Sequence, residues 1–433
     1  MKEIIADPAL FRNESLEKTK RYLDDSVKKG IITKSDETLI INYLMFRASR
    51  NAVPHTIHGI STALVKMRAY IKTEYRQVNI GKLQEAITAF NSGKIPNDAR
   101  VHPGRAYKPN TKLGYINELK GFLKWSSEKG YSKLKVSDIE SIKGPKADSQ
   151  TFGPQDILKK EEIEAVIKAC DNVRDRAFIA GLFDGGFRAI ELCTMTWGDL
   201  HWSESEEHKE RFIVVAHTNK KTGIPRRVML TRSGAFLSEW RNAYSSYTGG
   251  AEPEGENAIF VNRDGVSFGY NTAYKMILKL RKKVKEQGID LDKKLKLHQF
   301  RRANITHEAN DGRPISHICQ EKWGKSYSPM ITRYNQPGEE AIDDSKCEIT
   351  GVPSKRKYVR REKVLEPIEC SNCRYINKPL NNFCAKCGAA LTEEARATLA
   401  ATKARAHSDP LYADLKVKFD KLAMEFMEIK KGK

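Results

Sequence analysis

Apolar positions recur every three or four residues through much of the first 130 residues, the spacing that lines one face of a helix. Leu16, Tyr22, Leu23 and Val27 predict a helix over 15–29, and a strong apolar face predicts another over 36–50. Ile57, Ile60, Leu64, Met67 and Ile71 mark a third, over 56–75. Asn110-Thr111 opens a fourth, with Leu113, Ile116, Leu119, Phe122, Leu123 and Trp125 on one face and Gly130 as its stop. The pattern predicts a small all-helical module with basic exposed faces. The stretch 142–153 holds Gly144, Pro145, Ser149 and Gly153 and little apolar content, so it reads as a linker.

Beyond the linker the period changes. A helix begins near Leu158 and runs through Cys170, another covers 171–183, and Asp184-Gly185-Gly186 breaks it. The run 211–215 predicts a strand, 219–223 a lysine-rich turn and 226–230 the return strand of a hairpin. A short buried run follows at 258–261. An amphipathic helix with a basic face spans 271–285, and helical patterns return over 298–312 and 315–335. Segment 355–363 has six basic residues against one acid and reads as a flexible basic tether. A last apolar stripe predicts a helix over 410–430, suited to docking, to dimerisation or to packing on its own chain. No repeat is apparent.

The charge sharpens this picture. Lys and Arg number 76 against 55 Asp and Glu, a formal net charge of +21 over 433 residues, which points to a polyanionic partner and first to nucleic acid. The longest apolar run, 39–46, is far short of the about 20 residues a bilayer span needs. The opening Met1-Lys2-Glu3 turns polar at once and predicts no secretory leader. A cytoplasmic, nucleoid-associated protein of two to four domains is expected, with no membrane contact.

Four of the eight cysteines are scattered (Cys170, Cys193, Cys319 and Cys347) and read as free thiols of a reducing compartment. The others are spaced as two knuckles, Cys370-x2-Cys373 and Cys384-x2-Cys387. That spacing offers four thiolates to one tetrahedral ion, so a structural zinc is expected, closed by protein sulfur and without a catalytic role. Two disulfides are the alternative, which a reducing compartment opposes.

Several polar residues gain meaning from their order. Arg188 follows a glycine turn within Asp184-Gly-Gly-Phe-Arg-Ala-Ile-Glu-Leu192. Lys221 begins Lys-Thr-Gly at the hairpin tip, His298-Gln-Phe-Arg301 comes next, and Tyr334 stands nine residues after Lys325 in Trp323-Gly-Lys-Ser326. These elements, in this order and spacing, resemble the tyrosine recombinase (phage integrase) family. The resemblance is strong over 160–340. The helical module before it fits the family's core-binding domain, and the four-cysteine ribbon after it looks like that of archaeal integrase-like proteins.

The resemblance implies an α+β, mainly α, chain. Its parts would be a helical SAM-like core-binding domain (1–147), a mixed α/β catalytic domain (154–350), a basic linker (351–366), a zinc ribbon (367–392) and a helical tail (393–433). It implies Tyr334 as nucleophile, forming a 3′-phosphotyrosine and freeing a 5′ hydroxyl. Arg188 and Arg301 would clamp the nonbridging oxygens, because guanidinium is always charged and grips phosphate as a fork. Lys221 would protonate the leaving oxygen, His298 would assist the tyrosine proton or bind the phosphate, and Glu191 would be a supporting carboxylate. Because the protein supplies the positive charge, no catalytic metal or nucleotide is required. The family's second histidine falls at Lys325 by ungapped match; a small register shift gives the place to Trp323 instead, and Lys325 is favoured. His307 and His317 read as structural or solvent-facing, and Arg302 as a contact to DNA or an acid.

The expected partner is double-stranded DNA, bound by four protomers on two duplexes and released by salt. The expected outcome is integration or excision of a mobile element. Two alternatives stay open. One is a DNA-binding protein of the same fold with lost or reduced catalysis, which Lys325 favours and the retained arginines and tyrosine oppose. The other is type IB topoisomerase-like relaxation, which needs one protomer and no partner site.

Overall fold

The structure is a computed structural model that describes residues 14–93, 107–147, 153–207, 212–218, 224–262, 265–292, 294–335, 339–352 and 367–408, and isolated positions between and beyond (337, 365, 412, 414–419 and 421). The chain divides into two compact units, Met1–Thr151 and Phe152–Lys433.

The first unit is helical: α1 Glu14–Lys28, α2 Lys34–Ala48, α3 Pro54–Ile71, α4 Ile80–Ser92, α5 Pro109–Glu128 and α6 Val136–Ser141. The apolar faces read from the sequence meet in one core that includes Leu23, Leu39, Leu64, Met67, Phe90 and Phe122. Thr33 caps α2 through its side chain, and Asp36 returns the bond to the Thr33 amide, two donors satisfied by one reciprocal pair. Asp36 is itself buried, and it is held there by Arg68 Nε at 2.7 Å and the Tyr75 amide at 2.8 Å. Helix α3 ends at Ile71, four residues before the sequence expectation, because Lys72 turns left-handed and a short 3-10 turn carries Tyr75 into the core.

The second unit opens with α7 Lys160–Lys168, α8 Val173–Asp184 and α9 Ala189–Cys193. Three strands follow, β1 Leu200–Trp202, β2 Val214–Thr218 and β3 Arg226–Leu230, in an antiparallel meander ordered β1-β2-β3. The return strand falls where the sequence placed it. Strand β2 begins three residues later than expected, because pairing of Thr218 with Arg226 and Val214 with Leu230 fixes the register. Helices α10 Gly234–Thr248, α11 Tyr270–Glu286 and α12 Leu297–Asn310 share one core with α8 and the inner face of the sheet, built on Phe178, Phe183, Val214, Val228, Trp240, Phe260 and Phe300. The single helix expected over 315–335 is instead two, α13 Ile315–Trp323 and α14 Ile331–Tyr334. Gly324 stops the first with a left-handed φ of +69°, and a Cβ there would lie 2.4 Å from Ile224 Cγ2. Only glycine lets the end of α13 press against the base of the β2–β3 hairpin. Helix α15, Glu339–Thr350, follows. Cys170, Cys193 and Cys319 are buried thiols.

In the four-cysteine module, β4 Ile368–Glu369 pairs with β5 Ile376–Asn377. Asn377 bridges the two knuckles by accepting the Ala385 amide at 2.8 Å. The module sits on the rest of its unit. Leu380 packs on the main core, and Lys378 reaches Glu239 of α10 at 3.7 Å. Helix α16, Glu393–Ser408, comes last. The basic tether 355–363, and most of the helix expected over 410–430, lie outside the described residues. Among the described residues no helix is long and apolar enough to cross a membrane.

Candidate active site

The site begins where α8 ends. Gly186 has a φ of +54°, and a Cβ there would lie 2.4 Å from Asn304 Oδ1, so the Gly185-Gly186 turn can pack directly on α12. The turn sets Arg188 at the N-cap of α9. Glu191, at the third position of that helix, is fully buried; its carboxylate accepts the Arg188 amide at 2.9 Å and the Arg188 guanidinium at 2.7 Å. Burial pushes the Glu191 carboxyl up, but Arg226 and Arg188 more than offset it and hold it below the usual carboxylate range. Helix α12 supplies His298 and Arg301, three residues apart and so on one face. Arg301 is wholly buried and donates to the carbonyls of Gly186 at 2.5 Å and Lys322 at 2.9 Å.

Tyr334 ends α14 and belongs to a small separate core with Ile305, Ile318, Cys319 and Ile331. Thr306 fixes its carbonyl with a 2.9 Å bond. Around its ring stand the imidazole of His298 at 5.2 Å and the indole of Trp323 at 5.5 Å. The guanidinium carbons of Arg301 and Arg302 lie 5.5 and 5.9 Å from its centroid. The structure therefore brings together Arg188, Glu191, His298, Arg301 and Tyr334. Of the two residues left for the second-histidine place, Trp323 lies against both Tyr334 and Arg301, the latter at 5.2 Å. Lys325, the residue the ungapped match favours, is exposed beyond the left-handed turn at Gly324. His307 is structural, bonded to the Leu158 carbonyl at 2.9 Å. Lys221 lies outside the described residues.

This is a site of excess positive charge. Arg301 is pushed down to about 10, first by burial and then by Arg188, and remains a cation at neutral pH. Two buried donors beside the tyrosine, Arg301 Nε and Trp323 Nε1, make no hydrogen bond within the protein. Buried donors are normally paired, so their presence next to surplus guanidinium charge suits an oxyanion. His298 is pushed down to about 4 by the protein packed around it and then by Arg302, Arg301 and Arg188. It is therefore neutral at pH 7 and able to accept a proton.

The sign of that shift yields a pH prediction. A histidine whose folded value lies below its unfolded value favours the fold while neutral. That contribution is complete above about pH 6.5 and is lost as pH falls toward 4. His298 is exposed to solvent, which screens the cations, so the loss is expected at about 1 kcal/mol, below the roughly 3 kcal/mol of the whole shift. Urea unfolding at pH 7 and pH 4.5 is expected to show His298→Gln losing less stability than the wild type; equal losses would remove His298 from the acid response.

Sequence reasoning missed Arg226 and Lys322. Arg226 Nη2 lies 2.7 Å from Glu191 Oε1. Lys322 is fully buried, donates to the Gly185 carbonyl at 3.1 Å and pairs with Glu321 and Glu308. A signal for Arg226 was present: it shares the inward phase of β3 with Val228 and Leu230.

The phage integrase family profile matches residues 156–340. The tyrosine recombinase XerA of Saccharolobus solfataricus is 26% identical over 275 residues, 62% of this chain and 79% of that protein. Among solved structures, the XerH site-specific recombinase in a post-cleavage complex with a palindromic difH substrate is similar with a TM-score of 0.52 and 16% identity, over 80% of this chain and 98% of that one. The Tn1549 transposon integrase with a circular intermediate DNA gives 0.50 and 16%, over 72% and 98%.

Proposed function

We propose that the chain, which matches the phage integrase family over residues 156–340, acts as a site-specific DNA recombinase of the tyrosine type. The convergence of His298, Arg301 and Trp323 on the Tyr334 ring carries the reading. The Tyr334 oxygen attacks a phosphodiester phosphorus, the bond to the 5′ oxygen breaks, and the chain is left joined to the 3′ phosphate. Neutral His298 receives or orients the tyrosine proton, and Lys221 returns one to the leaving oxygen. Arg188 and Arg301 hold the nonbridging oxygens as charge grows on them, with Trp323 Nε1 as a further donor. Exposed Lys325 meets the DNA backbone outside this core. One phosphodiester is exchanged for another bond of similar energy, so a free 5′ hydroxyl of a second strand reverses the step and completes the exchange.

The division of labour belongs to the same proposal. Segment 1–147 grips DNA, 154–350 catalyses, 351–366 tethers, 367–392 is the ribbon and 393–433 the tail. Four protomers join two duplexes to integrate or excise a mobile element in the cytoplasm, at the nucleoid. The test is covalent trapping. The full chain is incubated with nicked duplexes selected by binding from a random-sequence pool, then denatured and digested, and the DNA-linked peptide is mapped. A linked peptide containing Tyr334 is expected. Salt-sensitive binding without any adduct would favour a DNA-binding protein that has lost catalysis.

Zinc is proposed for the cysteine module. The four sulfurs lie within 4.8 Å of one another, with Cys370–Cys387 at 3.6 Å and Cys373–Cys384 at 3.5 Å. Tetrahedral zinc–thiolate bonds of about 2.3 Å put sulfurs roughly 3.8 Å apart, so the cage fits. Thiol modification of the purified chain is expected to release about one zinc per protomer. The same treatment of Cys384→Ser should release much less, and retained full occupancy would argue against this cage.

A further inference from the structure

Strand β3 buries Arg226, Val228 and Leu230 and exposes Arg227 and Met229. Two of the inward residues are ordinary aliphatic core. The third is an arginine whose side chain is 2% exposed. Its guanidinium faces two ways. Nη2 reaches Glu191 Oε1 at 2.7 Å, and Nη1 donates to the Lys322 carbonyl at 2.8 Å. Each partner also holds one of the two phosphate-clamping arginines. Glu191 accepts Arg188 at 2.7 Å, and the Lys322 carbonyl accepts Arg301 Nη2 at 2.9 Å. An unbroken series of hydrogen bonds thus runs Arg188, Glu191, Arg226, Lys322 carbonyl, Arg301.

The charge count explains why an arginine stands here. A buried carboxylate paired only with Arg188 would neutralise it and draw it inward. With Arg226 present, two cations share one carboxylate, and a net positive charge is left beside Arg301. A planar fork with five donors reaches a carboxylate with one terminal nitrogen and a carbonyl with the other, whereas a compact ammonium cannot span the two positions from one point. Removing one partner of a buried ion pair also costs more than the pair contributes, so the arrangement tolerates no partial version.

We infer that Arg226 is a positioning residue that sets the spacing of Arg188 and Arg301 and ties both to the base of the β2–β3 hairpin. This rests on the roles proposed above for those two arginines. Single-turnover cleavage of a suicide duplex, selected by binding from a random-sequence pool, tests it with the full-length wild type, Arg226→Gln and Arg226→Lys. Each protein also receives the same duplex with a neutral methylphosphonate at the scissile position. Both variants are expected to cleave the phosphodiester about 100-fold more slowly, the scale of losing one preorganised donor, while duplex affinity changes no more than about threefold. The deficit should shrink to about tenfold or less on the methylphosphonate, which brings one negative charge fewer for the clamp to meet. A merely structural residue would slow both substrates equally, and that result overturns the inference, as does a wild-type rate in either variant. Should Arg226→Gln fail to fold, Arg226→Lys, which keeps the charge and the stem, supports the same comparison. A wild type that leaves no Tyr334 adduct overturns the recombinase reading and the coupling together; wild-type cleavage with unimpaired variants overturns the coupling alone.

Discussion

Tyr334→Phe is expected to abolish covalent attachment to DNA while leaving the fold and duplex binding in place. The phenylalanine keeps every ring contact: His298 at 5.2 Å, Trp323 at 5.5 Å and the Arg301 guanidinium at 5.5 Å. The Thr306 bond to the main-chain carbonyl is also unaffected. Only the hydroxyl is lost, and no other group at the site can replace it as a nucleophile at that position. Cleavage should fall by roughly a factor of 10⁶, the scale of deleting an enzyme nucleophile, or about 8 kcal/mol in barrier. Duplex affinity should stay within about twofold and stability within about 1 kcal/mol, since only a hydroxyl is removed. Denaturing electrophoresis of trapped complexes checks the first, and duplex titration with urea unfolding checks the others. An adduct that survives would mean another nucleophile. Tyr327, 65% exposed on the turn between α13 and α14, is where peptide mapping should then look.

The contrast between Tyr334 and Arg226 shows how far the sequence could be read. Helical faces such as that of Ile116, Leu119, Phe122 and Leu123 were legible because burial follows period in a helix that packs on one side. The hairpin was legible from its turn, although β2 slid by three residues, because apolar residues mark where a strand is buried and only pairing marks where it begins. The break at Gly324 was hidden. Cys319, Trp323 and Ile331 keep an apolar rhythm across it, and the need for glycine comes from Ile224, a hundred residues earlier in the chain. Helices α4 and α10 were not picked out, although Leu83, Ala86, Ile87 and Phe90 of the first and Phe236, Leu237, Trp240 and Tyr244 of the second keep the helical spacing. At the site, Arg188, Glu191, His298, Arg301 and Tyr334 were legible through motif order, which carries chemistry across long separations. Arg226 and Lys322 were not, because their importance lies in whom they touch. Trp323 and Lys325 stayed ambiguous for a related reason: they are two residues apart, and only the turn at Gly324 decides which faces the tyrosine.

Arg301→Lys is expected to be the most damaging substitution after loss of the nucleophile, and more so than Arg188→Lys. Arg301 is completely buried, with its two terminal nitrogens committed in different directions, to Gly186 and to Lys322. A lysine ammonium can follow one of those bonds and must abandon the other. The abandoned carbonyl stays buried and costs about 1–3 kcal/mol of stability. The charge also leaves its fixed place beside the Tyr334 ring, where it would face the nonbridging oxygens, and cleavage should drop by about 10³-fold or more, or roughly 4 kcal/mol. Arg188 keeps 22% of its side chain exposed and has Glu191 as a local guide, so a lysine there retains part of its reach and the loss should be smaller. Single-turnover cleavage at saturating protein separates these losses from binding, and urea unfolding reports the stability cost. A rate for Arg301→Lys within tenfold of the wild type would show that the buried guanidinium serves the fold alone, and the phosphate clamp would have to be rebuilt around Arg188, Arg302 and Trp323.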